Sequence, residues 1–446
     1  MKPQAKFTTG STMRHVTVMT LTSALGLSFM FLVDFLALFW VSRLKIETFI
    51  AAIGFAGTLQ FFLVSISIGL TIGAVALVSR TLGAGRPERA RRIASMALIV
   101  SVATQACIAL LAYFFRFHLL GLTGAGGETL EVAARFLAIS LPSLPLIAAG
   151  MTASAILRAT GDAWRSMAVT SVAGAVAIVL DPLFILGLGW GIEGAALVIV
   201  ISRGTMALVG LYWLLVVKKM LARPKLTDFQ LYLRPFMAIA LPAILTQLST
   251  PFGNWVLIRA MAAHGDSAVA GMGVVMRVTI LGFGGIFALS GAIGGIIGQN
   301  AGAGLRDRVE SAYLDALKFC LIYTVVIWAL IAAASGLIAD GFGLSPEGAH
   351  IVRVFSLYAV GSFFFTGALF VSNSAFNNLG RPLWATVANW IRDGILIGAL
   401  AFAMGALWGE TGVIMAQALA NVLVGTVAAL IGLRLVRDGR GVAQRA

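Results

Sequence analysis

The sequence predicts an all-α polytopic membrane protein: twelve transmembrane helices in two six-helix lobes, related by a pseudo-twofold axis around a central cavity. Three observations carry this. Hydrophobic residues make up 59% of the 446 and charged residues 11%, a balance that no soluble fold of this length can hide. Apolar runs of about 20 residues recur along the whole chain, each long enough to cross a hydrocarbon core of roughly 30 Å. The second half of the chain repeats signposts of the first at a nearly fixed offset.

The apolar runs fall at 15–41, 49–79, 93–115, 131–157, 163–187, 193–217, 235–261, 268–299, 311–335, 349–376, 382–406 and 411–436. The first is longer than a signal-peptide core and lacks a cleavage site, so it reads as span 1. The net charge of +14 follows orientation and does not point to nucleic acid. Of the 32 Lys and Arg, 22 lie near the two termini or in the loops after even-numbered spans. Only Arg43, Lys45, Arg116, Arg135, Arg259 and Arg353 lie in or beside the odd-numbered loops. The positive-inside rule then places both termini in the cytoplasm, and attraction to anionic lipid accounts for the basic balance. The expected partners are the lipid bilayer and a small organic substrate, with no nucleic acid.

The repeat is explicit in VSRTLGAGRPERARR (78–92) and IGQNAGAGLRDRVES (297–311). Gly83, Ala84, Gly85 and Arg89 recur as Gly302, Ala303, Gly304 and Arg308, each 219 residues on. Gly161 recurs as Gly380, and WGIEGAAL (190–197) as WGETGVIM (408–415) at an offset of 218. Six spans followed by six give two lobes, 1–220 and 221–446. Six is even, so both enter the membrane from the same side and the repeats are parallel. A cavity between two lobes that rock is the geometry of alternating access, hence of a secondary transporter. Within the motif, Gly83 and Gly85 end span 2, Pro87 starts span 3, and the arginines hold the loop at the cytoplasmic surface. The loop reads as a structural hinge and topology signal, not as a substrate contact.

Ionisable residues inside spans are costly and are functional candidates. Asp34 in FLVDFLALFW lies about seven residues before the outer end of span 1, and Asp181 in IVLDPLFI about six before the outer end of span 5. Both spans run outward, so the acids sit at similar depth in one lobe. Two acids in an apolar setting suit proton uptake and release near neutral pH. Asp181 has a second reading, as an N-cap before the first-turn Pro182 of a restarted helix. The weaker candidates are Gln60, Ser202, Arg203, Asn254, Arg277 and Asp393. Arg203 reads as a partner of Asp34 or Asp181, or as a donor to backbone carbonyls. Arg392 and Asp393 are adjacent, so on a helix they point about 100° apart and do not read as a pair. The glycines of span 8, from Gly282 to Gly298, read as close packing or as a bend.

Cys107 and Cys320 lie inside spans, so no disulfide framework is expected. The four His are scattered, so no metal site is expected. The sequence lacks Walker, nucleophile-elbow and zincin motifs. The chain therefore does not read as an enzyme and needs no cofactor; an ion gradient must supply the energy.

At this point the chain resembles the multidrug and toxic compound extrusion (MATE) family, in its DNA-damage-inducible F-like branch. The carrying residues are VDFLALFWVSRL with Asp34, LGAGRPERARR after span 2, ILRATGDAWRSM before span 5, and LDPLFILGLGWGIEGAAL with Asp181. The likeness spans essentially the whole chain. It implies a V-shaped cavity between the lobes, a monomer in the bacterial inner membrane, and export of amphipathic, often cationic compounds against protons or Na⁺. It also implies that Asp34 and Asp181 are the coupling pair. The chain departs from the family at Ala177, where members often carry Asn, and at Ile199, where they often carry Thr. Around Met19 it lacks their proline. Fewer oxygen ligands disfavour a bound Na⁺, so H⁺ is the expected coupling ion and Na⁺ the alternative. A flippase for lipid-linked oligosaccharides, which would need basic groups such as Arg203, Arg277 and Arg392, is the competing reading.

Overall fold

The computed structural model describes residues 5–439, 441 and 442, and the side chain of Asp34 lies outside what it describes. The described residues are almost wholly helical. In order they form α1 (Thr12–Ser42), α2 (Glu47–Gly83), α3 (Pro87–Phe114), α4 (Arg116–Leu122), α5 (Gly127–Ser140), α6 (Leu144–Ala159), α7 (Ala163–Pro182) and α8 (Gly191–Tyr212). Then come α9 (Leu226–Ala262), α10 (Asp266–Gly282), α11 (Gly284–Gly302), α12 (Arg306–Gly341), α13 (Pro346–Val354), α14 (Phe363–Asn378), α15 (Pro382–Trp390) and α16 (Ile397–Asp438).

Local chemistry sets the helix ends. Pro87 takes the first helical position of α3, where its missing N–H costs nothing. Asp162 caps α7 by accepting from the Arg165 N–H at 3.2 Å, and Ser345 caps α13 through Gly348. Gly85 and Gly304 both turn at φ +71°, a left-handed conformation that suits glycine.

Among the described residues, ten helical stretches are long and apolar enough to cross a membrane, and the bent pair α10–α11 makes an eleventh. The stretch Pro382–Asp438 has 57 residues, about 85 Å of helix and far more than one bilayer. It is broken at Trp408 and Gly409, where Gly409 takes φ +63° and ψ −148°. Read as two spans, it brings the number to twelve. Span 8 takes the bend that its glycines offered as one reading: it turns by 45° at Phe283. The Tyr323 hydroxyl of α12 fills the break, donating to the Gly282 carbonyl at 2.9 Å and accepting from the Gly285 N–H at 3.2 Å. A Cβ on Gly285 would lie 2.5 Å from that ring, so the glycines of span 8 serve both packing and bend.

The repeat survives in three dimensions as a matched interruption. Span 4 is α5 and α6 joined by a tight 3₁₀ turn at Leu141–Ser143, and span 10 carries another at Val360–Ser362, 219 residues on. Both stretches are largely buried, and other helices of their own unit pack against them.

By internal packing the described residues form two compact units: Ala5 with 25–244, and 6–24 with the described residues from 245 onward. The first core holds Leu70, Leu137, Leu141, Leu157 and Ile185. The second holds Phe283, Phe355 and Phe363, with Phe283 and Phe363 stacked at 4.2 Å.

The repeated loop has a definite job in each unit. In the second unit it receives the segment before α1. Phe7, 1% exposed, donates its N–H to Gln299 Oε1 at 2.8 Å. Arg308 then reaches three carbonyls, those of Phe7, Gly10 and Thr9, at 2.8, 2.9 and 3.2 Å. In the first unit the segment before α9 docks on α3. Arg91 donates to the Leu221 carbonyl at 3.0 Å, Ser95 exchanges two bonds with Ala222, and Arg89 lies over the Tyr232 ring. The loop that the sequence marks as a hinge is a docking place for the chain leading into a first span.

Candidate functional site

In the first unit, α1 and α7 pack side by side through small residues. A Cβ on Gly26 would lie 2.8 Å from Thr170 Oγ1, and one on Gly174 would lie 2.8 Å from the Phe29 ring and 3.1 Å from Val33. These contacts ascend together, so the helices are parallel. At 1.5 Å per residue, position 34 on α1 is level with Ala177, about one turn or roughly 6 Å short of Asp181. Asp181 is 2% exposed. It lies inside the last turn of α7, which continues through Pro182 into a widened turn at Leu183–Gly187. It is therefore not the cap of a restarted helix.

A second polar cluster of this unit surrounds Arg203 on α8. Its guanidinium donates to Gln60 Oε1 at 2.5 Å, to Ser143 Oγ at 2.9 Å and to the Ser140 carbonyl at 3.2 Å. Gln60 in turn donates to Ser140 Oγ at 3.0 Å. The physical cause is the 3₁₀ turn between α5 and α6, which leaves carbonyls without an i+4 partner; a guanidinium with five donors can satisfy several acceptors at once. Ser140 and Ser143 belong to this site and were not singled out from sequence. Their signal was the Ser-Leu-Pro-Ser run, whose Pro142 marks an interruption inside an apolar stretch. Ser202 donates to the Ala173 carbonyl at 3.0 Å and joins α8 to α7.

In the second unit the sequence reading of Arg392 and Asp393 is corrected. They form a buried bidentate pair, Nε to Oδ1 at 2.7 Å and Nη2 to Oδ2 at 3.0 Å, with exposures of 4% and 3%. The long Arg side chain folds back across the angle between neighbours, on a widened turn at Ile391–Leu396. Ser249 on α9 donates to Asp393 Oδ2 at 2.9 Å. Asn254 and Arg277 are exposed on α9 and α10.

Residues 22–183 and 242–401 match the MatE family model, which thus fits each half of the chain once. The chain belongs to the MatE family. The FAD transporter of Shewanella oneidensis is 28% identical over 394 residues, covering 87% of each protein. The multidrug export protein MepA of Staphylococcus aureus is 25% identical over 414 residues, covering 90% of this chain and 89% of that one. Among solved structures, a MOP superfamily transporter from Pyrococcus furiosus superposes with a TM-score of 0.91 at 23% identity, over 98% of this chain and 99% of that one. The Vibrio cholerae MATE transporter VcmN, solved as a point mutant, gives 0.91 at 22% identity over 96% and 97%. The fold is thus that of a MATE transporter, a multi-pass membrane protein and not an enzyme.

Proposed function

We propose that this MATE transporter exports amphipathic organic cations from the bacterial cytoplasm across the inner membrane, by alternating access and in exchange for protons. Asp34 and Asp181 are the coupling acids in this reading. The observation that carries it is Asp181, 2% exposed inside α7, with position 34 one turn away on the parallel α1. An acid is costly to place inside a membrane helix, and proton exchange is a role that accounts for it. Multidrug export by MepA, similar over nine-tenths of both chains, supports the substrate class. Protons are the preferred ion over Na⁺ because Ala177, one turn before Asp181 and 2% exposed, offers no side-chain oxygen. The chain acts as a monomer with both termini in the cytoplasm.

The energetics are sufficient. A potential of 100 mV is worth about 2.3 kcal/mol per charge, so one entering proton supports a gradient of roughly 40-fold for a neutral substrate. A monovalent cation exchanged for one proton gains only from the pH difference.

One observation favours a second reading. The FAD transporter relative is 28% identical over 87% of both chains, and Arg203 sets a cation beside α2 and α5 in the first unit. An anionic flavin nucleotide is the substrate of that reading.

The test is efflux from proteoliposomes under an imposed pH gradient without Na⁺, with a cationic dye in one arm and FAD in the other. Wild type is expected to move dye only with the gradient, and Asp34→Asn and Asp181→Asn to move none. Transport that requires Na⁺ overturns proton coupling. Transport of FAD and not of dye overturns the cationic substrate.

A further inference from the structure

The two sequence halves differ in where they carry charge. At the 219-residue offset Asp34 corresponds to Gly253, and Gly174 to Asp393. In the first unit Gly174 faces Phe29 and Val33 of α1. In the second, a Cβ on Gly253 of α9 would lie 3.0 Å from the Cβ of Asp393. At these two pairs of positions each half therefore carries one acid and one glycine, with the places exchanged. Arg392 corresponds to Ala173, so its positive charge too belongs to the second unit alone.

The ion pair is built so that it can open. Asp393 keeps a second partner in Ser249, and the Arg392 guanidinium lies 5.9 Å from the centre of the Phe370 ring, within cation–π range. Separating the two leaves the carboxylate with a hydroxyl and the guanidinium with a ring. Burying an ion pair gains little net stability, because desolvation offsets the attraction, so packing alone does not explain a pair inside a membrane helix. It sits on a widened turn, a feature that recurs at functional sites.

An aromatic face lies at the same junction. Phe252 stands next to Gly253 in the chain, and Trp390 lies three residues before Asp393. Their rings are 5.6 Å apart, and Trp255 is 6.0 Å from Phe252. Trp390 is fixed by donating to the Leu245 carbonyl at 2.9 Å. Phe252 and Trp255 are 36% and 55% exposed.

We propose that Asp393, Ser249 and this aromatic face form a cation subsite in the second unit. Arg392 is the internal stand-in that occupies Asp393 until an amphipathic aromatic cation replaces it. Charge balances at each stage: Asp393 holds one guanidinium or one substrate cation, and the displaced Arg392 rests on Phe370. The proposal rests on cation export as argued above and names the counter-charge that the second unit supplies.

The experiment is ethidium binding to the purified protein, followed by fluorescence, with thermal melts in parallel. Arg392→Gln removes the internal competitor and is expected to tighten binding by about tenfold, while Asp393→Asn weakens it by at least about tenfold. The double variant Arg392→Gln/Asp393→Asn leaves no buried charge unpaired, so it keeps the fold even if a single variant does not. It too is expected to bind about tenfold more weakly than wild type. Trp390→Ala weakens binding in the Arg392→Gln background. If the double variant binds ethidium as wild type does, the pair is only a prop and the subsite falls, with cation export untouched. If wild type binds no ethidium, the export of cations falls together with it.

Discussion

Asn421 on α16 donates to the Ser362 hydroxyl at 3.2 Å, at the positions that Arg203 and Ser143 hold one repeat earlier with a bond of 2.9 Å. In both units a donor on the sixth span of a half secures the serine of the 3₁₀ turn in its fourth. The turn comes with the duplicated fold and must be satisfied in each copy. The first unit does so with a guanidinium and the second with an amide. The additional Arg203 bonds, to Gln60 and to the Ser140 carbonyl, belong to the first unit only.

The difference can be measured. Arg203→Ala leaves three buried or half-buried acceptors without this donor and is expected to cost about 2–3 kcal/mol, against about 1 kcal/mol for Asn421→Ala. Thermal unfolding in one detergent compares them directly. Equal losses would mean that the charge of Arg203 contributes nothing to the turn.

The fold class was legible because membrane helices announce themselves by length and apolarity, and the repeat by its loop glycines. The interruptions were only partly legible. Pro142 marks the turn at Leu141–Ser143, but Val360–Ser362 lies inside an apolar run that reads as continuous, since a 3₁₀ turn changes hydrogen bonding without changing hydropathy. Arg392 and Asp393 were misjudged because helical angles describe where Cβ atoms point, not where a four-bond side chain can reach. Asp181 was legible as a charge in the wrong solvent, and that kind of signal needs no structure. The docked segment at Phe7 was invisible, for a buried phenylalanine next to a lysine looks like the beginning of an ordinary polar leader.

That segment yields a second expectation. Arg308 holds the carbonyls of Phe7, Thr9 and Gly10 and also Asn300 Oδ1 at 3.0 Å. Arg308→Ala therefore loosens residues 7–10 while α11 and α12 stay packed and Thr12 keeps its bond to Asp315. Hydrogen exchange is expected to rise about tenfold or more at the Phe7 amide, equivalent to about 1.4 kcal/mol of lost protection. Arg89→Ala, its repeat counterpart, is expected to leave that amide unchanged. Exchange at Phe7 that ignores Arg308 would show that Gln299 and Asn300 secure the segment without it.

Acid stability should report on Asp162. Burial alone would raise its carboxyl, but bonds from Lys218 and Arg165 outweigh this and hold it below the usual carboxylate range. Lys218 Nζ and Arg165 Nη1 lie 2.6 and 2.5 Å from Oδ2. A lowered folded-state value means stabilisation that is fully present above the unfolded value of about 3.9 and is lost as pH falls through the folded one. Wild type should therefore lose melting temperature more steeply than Asp162→Asn below about pH 4. At neutral pH the variant should be the less stable of the two. Parallel acid limbs would remove Asp162 from the account.

The bend of span 8 depends on one hydroxyl. Tyr323 is the donor to the Gly282 carbonyl and the acceptor from the Gly285 N–H, so its oxygen replaces helical bonds that the 45° bend removes. Tyr323→Phe keeps the ring, which packs on Gly285, and deletes only that oxygen. Two backbone groups then lose their partner in an apolar setting, and the expected cost is about 2–3 kcal/mol. Gly285→Ala attacks the same contact from the other side, since its Cβ would meet the ring at 2.5 Å. The two changes act on one contact, so their combination should cost less than the sum of the parts. Melts of both single variants and the double variant decide the matter. Full additivity would mean that the hydroxyl and the glycine support the bend independently and do not act through one contact.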